Sequence, residues 1–183
     1  MAALSEVPEA PLERTEHGLV PAGEGWFVVN AKDSRWHLEG PGARITFFEG
    51  DGAGFTQLGF NVSILEPGQP MSMYHWEDDQ EDFLILSGEA VLVAEGQERP
   101  LRAWDFVHCP SKTKHVIVGA GSGPCVIVSV GSRAAGDEWG AYTVDAAAAK
   151  LGASVEEETT DAGVAYARFP ERRPTAYEDG WLP

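Results

Sequence analysis

Apolar and polar positions alternate at short intervals through the middle of the chain. The segments "LGFNVSIL" (58–65), "HVIVGAG" (115–121) and "CVIVSVG" (125–131) are rich in β-branched residues, with Gly or Pro close by. A period of two with such punctuation predicts short strands. "DFLILSGEAVLVAEGQERPL" reads as two strands joined at Ser87-Gly88-Glu89, with a second turn at Glu95-Gly96. Further short strands are predicted in "ARITFFEG", "MSMYHW" and "DFVHCP", and one at Trp26–Val29. Trp36 and His37 fall in a turn-rich stretch. Strands are never separated by helical patterns as in βαβ units, so the fold class is all-β, a sandwich or barrel.

The flanks differ from this middle. Residues 1–25 are rich in Pro, Glu, Ala and Gly and read as a flexible arm. Near the other end, "DAAAAKLG" predicts one short helix with Asp145 as N-cap and Gly152 as its stop. The rest of the tail is polar and Pro-rich, and is expected to drape over the domain. The organisation expected is an arm (1–25), a barrel (26–135) and a C-terminal helix and tail (136–183).

Composition narrows the function more than the fold. The chain of 183 residues suits one domain. Its net charge of −16 argues against nucleic acid and against anionic membranes as partners. No apolar run is long enough to span a bilayer, and the N-terminal stretch lacks the pattern of a secretory signal. Two cysteines, Cys109 and Cys125, make no disulfide framework, which together with the plain N-terminus implies a cytoplasmic location.

The chemistry gathers in "YHWEDDQEDFLILSG". His75 and Glu77 are two apart on an extended segment and face the same side. Glu81 and, further on, His115 each open an apolar strand, so both can project inward at one end of a barrel. Imidazole and carboxylate suit a divalent first-row metal. Such an ion would also explain a carboxylate carried into a core. Phe83 and Ile85 share the parity of Glu81, and Ile117 that of His115; these would wall the pocket, with Tyr74 at its rim. His108 has the wrong parity for a ligand. Cys109 and Cys125 read as packing, and Lys112 and Lys114 as surface residues.

These residues resemble the two motifs of the cupin superfamily, in its small single-domain form. His75, Glu81 and Gly88 match the first motif, with Glu77 where the family has a second histidine. Pro110 and His115 match the second, with Trp104 and Lys112 at two of its glycines and Gly119 at its asparagine. The resemblance implies a double-stranded β-helix, or jelly-roll barrel, holding one divalent transition metal: zinc, iron, manganese or nickel. It implies His75, Glu81 and His115 as ligands. Glu77 is either a fourth ligand or a general base beside the metal, and is the candidate catalytic residue. It further implies a small-molecule ligand and a homodimer, with Trp26–Val29 a candidate to cover an exposed strand edge. Three readings stand open: a metal-dependent isomerase, lyase or dioxygenase acting on a small polar metabolite; a non-catalytic metabolite- or metal-binding module; and a purely structural barrel.

Overall fold

The computed structural model describes residues 7–39, 43–134 and 139–183. The boundary expected at 135–136 lies outside the described residues. The chain opens with a hairpin, β1 (Leu12–Thr15) and β2 (Gly18–Pro21), within the stretch expected to be an arm. Then follow β3 (Trp36–Glu39), β4 (Ala43–Thr46), β5 (Leu58–Leu65), β6 (His75–Glu77) and β7 (Glu81–Ser87). Next come β8 (Glu89–Ala94), β9 (Gln97–Arg102), β10 (Phe106–Cys109), β11 (His115–Ala120), β12 (Cys125–Ser132) and β13 (Gly140–Tyr142). The C-terminal part holds α1 (Ala146–Lys150), α2 (Ala162–Ala165) and β14 (Arg173–Thr175). Asp145 caps α1, accepting from the backbone N–H groups of Ala147 and Ala148 at 2.8 Å each. No helix among the described residues is long and apolar enough to cross a membrane.

The strands form two antiparallel sheets that face each other, besides the opening hairpin. One runs β10-β7-β12-β5-β4-β3-β14 and the other β13-β6-β11-β8-β9. This is the all-β jelly-roll architecture the strand pattern and motifs imply. Between the sheets lies one apolar core that includes Leu65, Phe83, Ile85, Leu92, Ile117, Cys125 and Ile127. Burying each large aliphatic side chain contributes about 1.5–3 kcal/mol. The outward faces are covered too. Helix α1 packs Ala148 against Val93, Val116 and Val118. The C-terminal Tyr177 and Trp181 cover Trp36, Val62 and Ile64.

Several expectations are corrected here. Two strands do join at Ser87-Gly88-Glu89, as expected, but they do not pair with each other. Strand β7 pairs with β10 and β12, whereas β8 pairs with β9 and β11, so the chain passes from one sheet to the other at Gly88. Trp26–Val29 is no strand: Trp26 makes only an isolated bridge to Glu9, and Val28 is 79 % exposed, so this stretch covers no sheet edge. Trp36 and His37 lie in a strand instead, because β4 and β14 flank β3 on both sides. Helix α2 and strand β14 carried no local signal strong enough to predict them.

Backbone conformation bears out the second motif. Trp104 (φ 75°) and Lys112 (φ 70°) are left-handed, at two positions where the resembled pattern has glycine. Gly88 (φ 78°) needs its missing side chain as well, since a Cβ there would lie 2.4 Å from the Pro124 carbonyl oxygen. Gly88→Ala is therefore expected to destabilise the fold by roughly 2 kcal/mol or more, from left-handed strain plus a backbone clash. Urea unfolding of the two proteins measures it, and an unchanged midpoint would contradict this account of the sheet crossing.

Candidate metal centre

The two sheets meet in a core that is apolar at one end and polar at the other. Strand pairing sets this gradient. Along β12 the inward positions are Cys125, Ile127, Ser129 and Gly131; along β5 they are Leu65, Ser63, Asn61 and Gly59, each opposite its counterpart. Phe83 and Glu81 of β7 stand opposite Ser129 and Gly131. Large apolar side chains thus give way to small and polar ones, and a cavity of about 230 Å³ opens there.

At its floor, β6 and β11 place His75 directly opposite His115. Their rings lie 4.9 Å apart between centroids. Glu81 reaches the same point from the facing sheet. One donor atom from each of His75, Glu81 and His115 lies within 4.8 Å of the others. Both histidines are buried.

Hydrogen bonds fix which nitrogens face inward. His75 Nδ1 lies 2.8 Å from the Met73 carbonyl oxygen, and His115 Nδ1 lies 2.9 Å from that of Thr113. A carbonyl only accepts, so each Nδ1 carries the hydrogen and each neutral ring turns its Nε2 lone pair inward. Those lone pairs face Glu81 Oε2, at 3.7 Å from His75 and 3.2 Å from His115. Glu81 Oε2 is buried and accepts no hydrogen bond of proper geometry. Two lone pairs and a carboxylate oxygen converging in a buried space require a positive charge among them. A proton can supply it. A divalent cation fits better, because all three donors then point at it and both outer N–H groups are already held.

Electrostatics agree with that arrangement. Burial pushes the Glu81 carboxyl up, but a hydrogen bond from protonated His115 and the positive charge that His115 and His75 can carry outweigh it and hold the group below its ordinary value when no metal is bound. Burial likewise favours neutral His115, and the Glu81 carboxylate outweighs that and raises its pKa.

Glu77 shares the inward face of β6, and its Oε1 lies 3.4 Å from His75 Nε2. Its side chain is one-third exposed, facing the open part of the cavity. The neighbouring acids point away. Asp78 pairs with Lys112 and Ser111, and Asp79 accepts from Ser132 and the Ala134 backbone. His108 bonds Asp82 on the outer surface, as its parity requires. Cys109 and Cys125 are free, buried thiols. Burial, helped by Glu81 and Asp82, pushes Cys109 up to about 12, so it is no nucleophile.

Phe83 and Ile117 wall the cavity. Ile85 lies one step deeper, fully buried in the apolar core. Tyr74 is corrected: one position from His75, it faces the opposite side, packs under α1, and its hydroxyl accepts from the Gly96 backbone. The wall also includes Ile45, Asn61, Ser63, Ser129, Tyr142, Tyr166 and Arg172. Asn61, Ser63 and Ser129 were open to period-two reading, as polar residues at inward positions. Tyr166 and Arg172 carried no such signal, because the fold of the tail alone brings them here.

The sequence profile described as the cupin domain matches residues 61–131. Residues 61–131 of this chain thus carry a cupin domain. The matched segment contains all four residues His75, Glu77, Glu81 and His115. No curated protein matches the chain. Among solved structures, the polyketide cyclase RemF from Streptomyces resistomycificus aligns with a TM-score of 0.54 at 12% identity, over 62% of this chain and 84% of that one. A sugar phosphate isomerase of the cupin superfamily from Silicibacter pomeroyi aligns at 0.46 and 26% identity, over 57% of this chain and 72% of that one. A proposed sugar phosphate isomerase from Acidithiobacillus ferrooxidans aligns at 0.46 and 28% identity, over 50% of this chain. The present chain spans 60% of the length of that last protein.

Proposed function

We propose that this cupin binds one divalent transition metal through His75, Glu81 and His115 and acts as an enzyme on a small polar metabolite. The observation that carries the reading is the convergence of the buried Glu81 Oε2 with two Nε2 atoms, 3.7 and 3.2 Å away, on rings whose Nδ1 atoms are held by backbone carbonyls. In a purely structural role a protonated imidazole would have to compensate that oxygen. When bound, the metal supplies Lewis acidity toward a substrate oxygen.

The protein's own residues do the rest. The outer hydrogen bonds of the two imidazoles hold the rings in place. Phe83 and Ile117 keep that end of the cavity dry. Glu77, solvent-accessible and beside His75, is placed to take a proton from the substrate and return it. That role suits isomerase or lyase chemistry, in which a proton leaves one atom and is delivered to another. Replacing Glu77 with Gln is thus expected to lower turnover while leaving metal bound.

The experiment is elemental analysis of freshly purified protein, followed by stripping with a chelator and reloading with zinc, iron, manganese or nickel. About one equivalent retained or rebound supports the reading. Far less than one equivalent, with no rebinding of any of the four, overturns it. A metabolite screen of the loaded protein, reading turnover against simple binding, separates the enzyme from a binding module.

A further inference from the structure

We infer that the ligand of the metal cavity carries a flat apolar ring beside its polar end, and that the C-terminal segment holds this ring in a second, adjoining cavity. The inference rests on the metal reading above and names the other half of the ligand for the same site.

The second cavity measures about 570 Å³. It has Tyr142, Tyr166 and Arg172 in common with the metal cavity, so the two adjoin. The metal cavity alone, at about 230 Å³, is smaller than the roughly 300–1,000 Å³ usual for small-molecule sites. The two cavities together fall within that range. Every wall residue of the second cavity follows residue 131, so the cupin domain itself does not dictate what it holds.

Aromatic rings lead from one cavity to the other. Between centroids, Tyr142 lies 6.0 Å from His75, Tyr166 lies 5.4 Å from Tyr142, and Phe169 lies 6.0 Å from Tyr166. Each of the three rings is held in place. Tyr142 belongs to β13, which pairs with β6. The Tyr166 hydroxyl accepts from the Met73 backbone N–H at 3.3 Å. The Arg168 guanidinium lies over the Phe169 ring at 4.7 Å and donates to the Gly152 carbonyl oxygen. Rings fixed in this way lose little freedom when a ligand arrives. The wall also includes Ala162, Gly163 and Ala167, which are too small to fill the space beside the rings. Apart from Arg172, its one charged residue among those described is Glu171, which is exposed. Ordered rings next to unfilled space suit a planar apolar group, which can stack offset or edge-on against them.

The test uses the full chain loaded with zinc, its metal content measured on the same samples. Four probes with the same metal-seeking head are titrated calorimetrically: acetohydroxamate, hexanohydroxamate, benzohydroxamate and phenylacetohydroxamate. At least one ring-bearing probe is expected to bind about 10–100-fold more tightly than acetohydroxamate, the range for burying one apolar group of that size. The same probe is expected to bind more tightly than hexanohydroxamate, which is apolar without a ring. The advantage over acetohydroxamate is expected to shrink in Phe169→Leu and to vanish in Ala162→Trp, where an exposed position sends a large side chain into the cavity. Glu178→Gln, at an exposed site outside both walls, is expected to keep it. Unfolding midpoints check that each variant is folded. Ring-bearing probes no tighter than acetohydroxamate or hexanohydroxamate, or an advantage unchanged in both cavity variants, overturn the inference while metal remains bound. Failure to take up metal overturns the reading beneath it, and this inference with it.

Discussion

Replacing Glu81 with Gln, or His115 with Ala, is expected to weaken metal binding by more than about 100-fold, since loss of an outer hydrogen bond to a ligand alone costs 10–100-fold. The two variants should differ in the metal-free state. Glu81→Gln removes the buried carboxylate that both lone pairs face, so the metal-free protein is expected to lose little stability or to gain some. His115→Ala leaves that carboxylate buried with only His75 beside it and opens a void at the cavity floor. It is expected to destabilise the metal-free protein by about 1–3 kcal/mol. Metal titration with a competing chelator, together with urea unfolding of stripped protein, reads both effects. Undiminished affinity in both variants would show that the metal, if bound, sits elsewhere.

The second large effect is on pH. The His115 pKa is raised, because Glu81 outweighs its burial, so a proton competes for Nε2 from above the ordinary histidine value of 6.5. Metal affinity is expected to fall about tenfold per pH unit once pH drops below the raised value. Stability of the stripped protein follows the opposite sign. A raised folded pKa contributes stability that is present below pH 6.5 and lost as pH rises through the folded value. The lowered pKa of Glu81 contributes stability present above pH 4.5 and lost as pH falls through its folded value. The pair therefore stabilises the stripped protein most between those two ordinary values. The gap in melting temperature between loaded and stripped protein should widen as pH rises from about 6 to 9. A constant gap across that range would count against a protonated imidazole standing in for the metal.

Much of this was legible in the residues, for a physical reason. Alternation with period two reports which side chains face inward, so His75, Glu81, His115, Phe83 and Ile117 were all placed on the correct side. The positive-φ backbone at Trp104 and Lys112 shows how the motif geometry persists where its glycines are gone. What local pattern does not carry is pairing. Ser87-Gly88-Glu89 has the chemistry of a hairpin turn, and only the partners of β7 and β8 reveal a crossing between sheets. Trp26–Val29 has strand propensity but lacks a partner strand, whereas Trp36–Glu39 has weaker propensity and two partners. Tyr74 follows the same rule: the parity that turns His75 inward turns its neighbour out, under α1.

The floor and the lid of the cavity come from separate stretches of chain. The donors all lie within residues 61–131, whereas Tyr142, Tyr166 and Arg172 follow that segment and Ile45 precedes it. Natural selection can therefore retune what enters the cavity by altering the tail, while the ion-holding machinery stays constant. Grafting residues 139–183 from one such barrel onto another is accordingly a direct route to exchanging their ligand preferences.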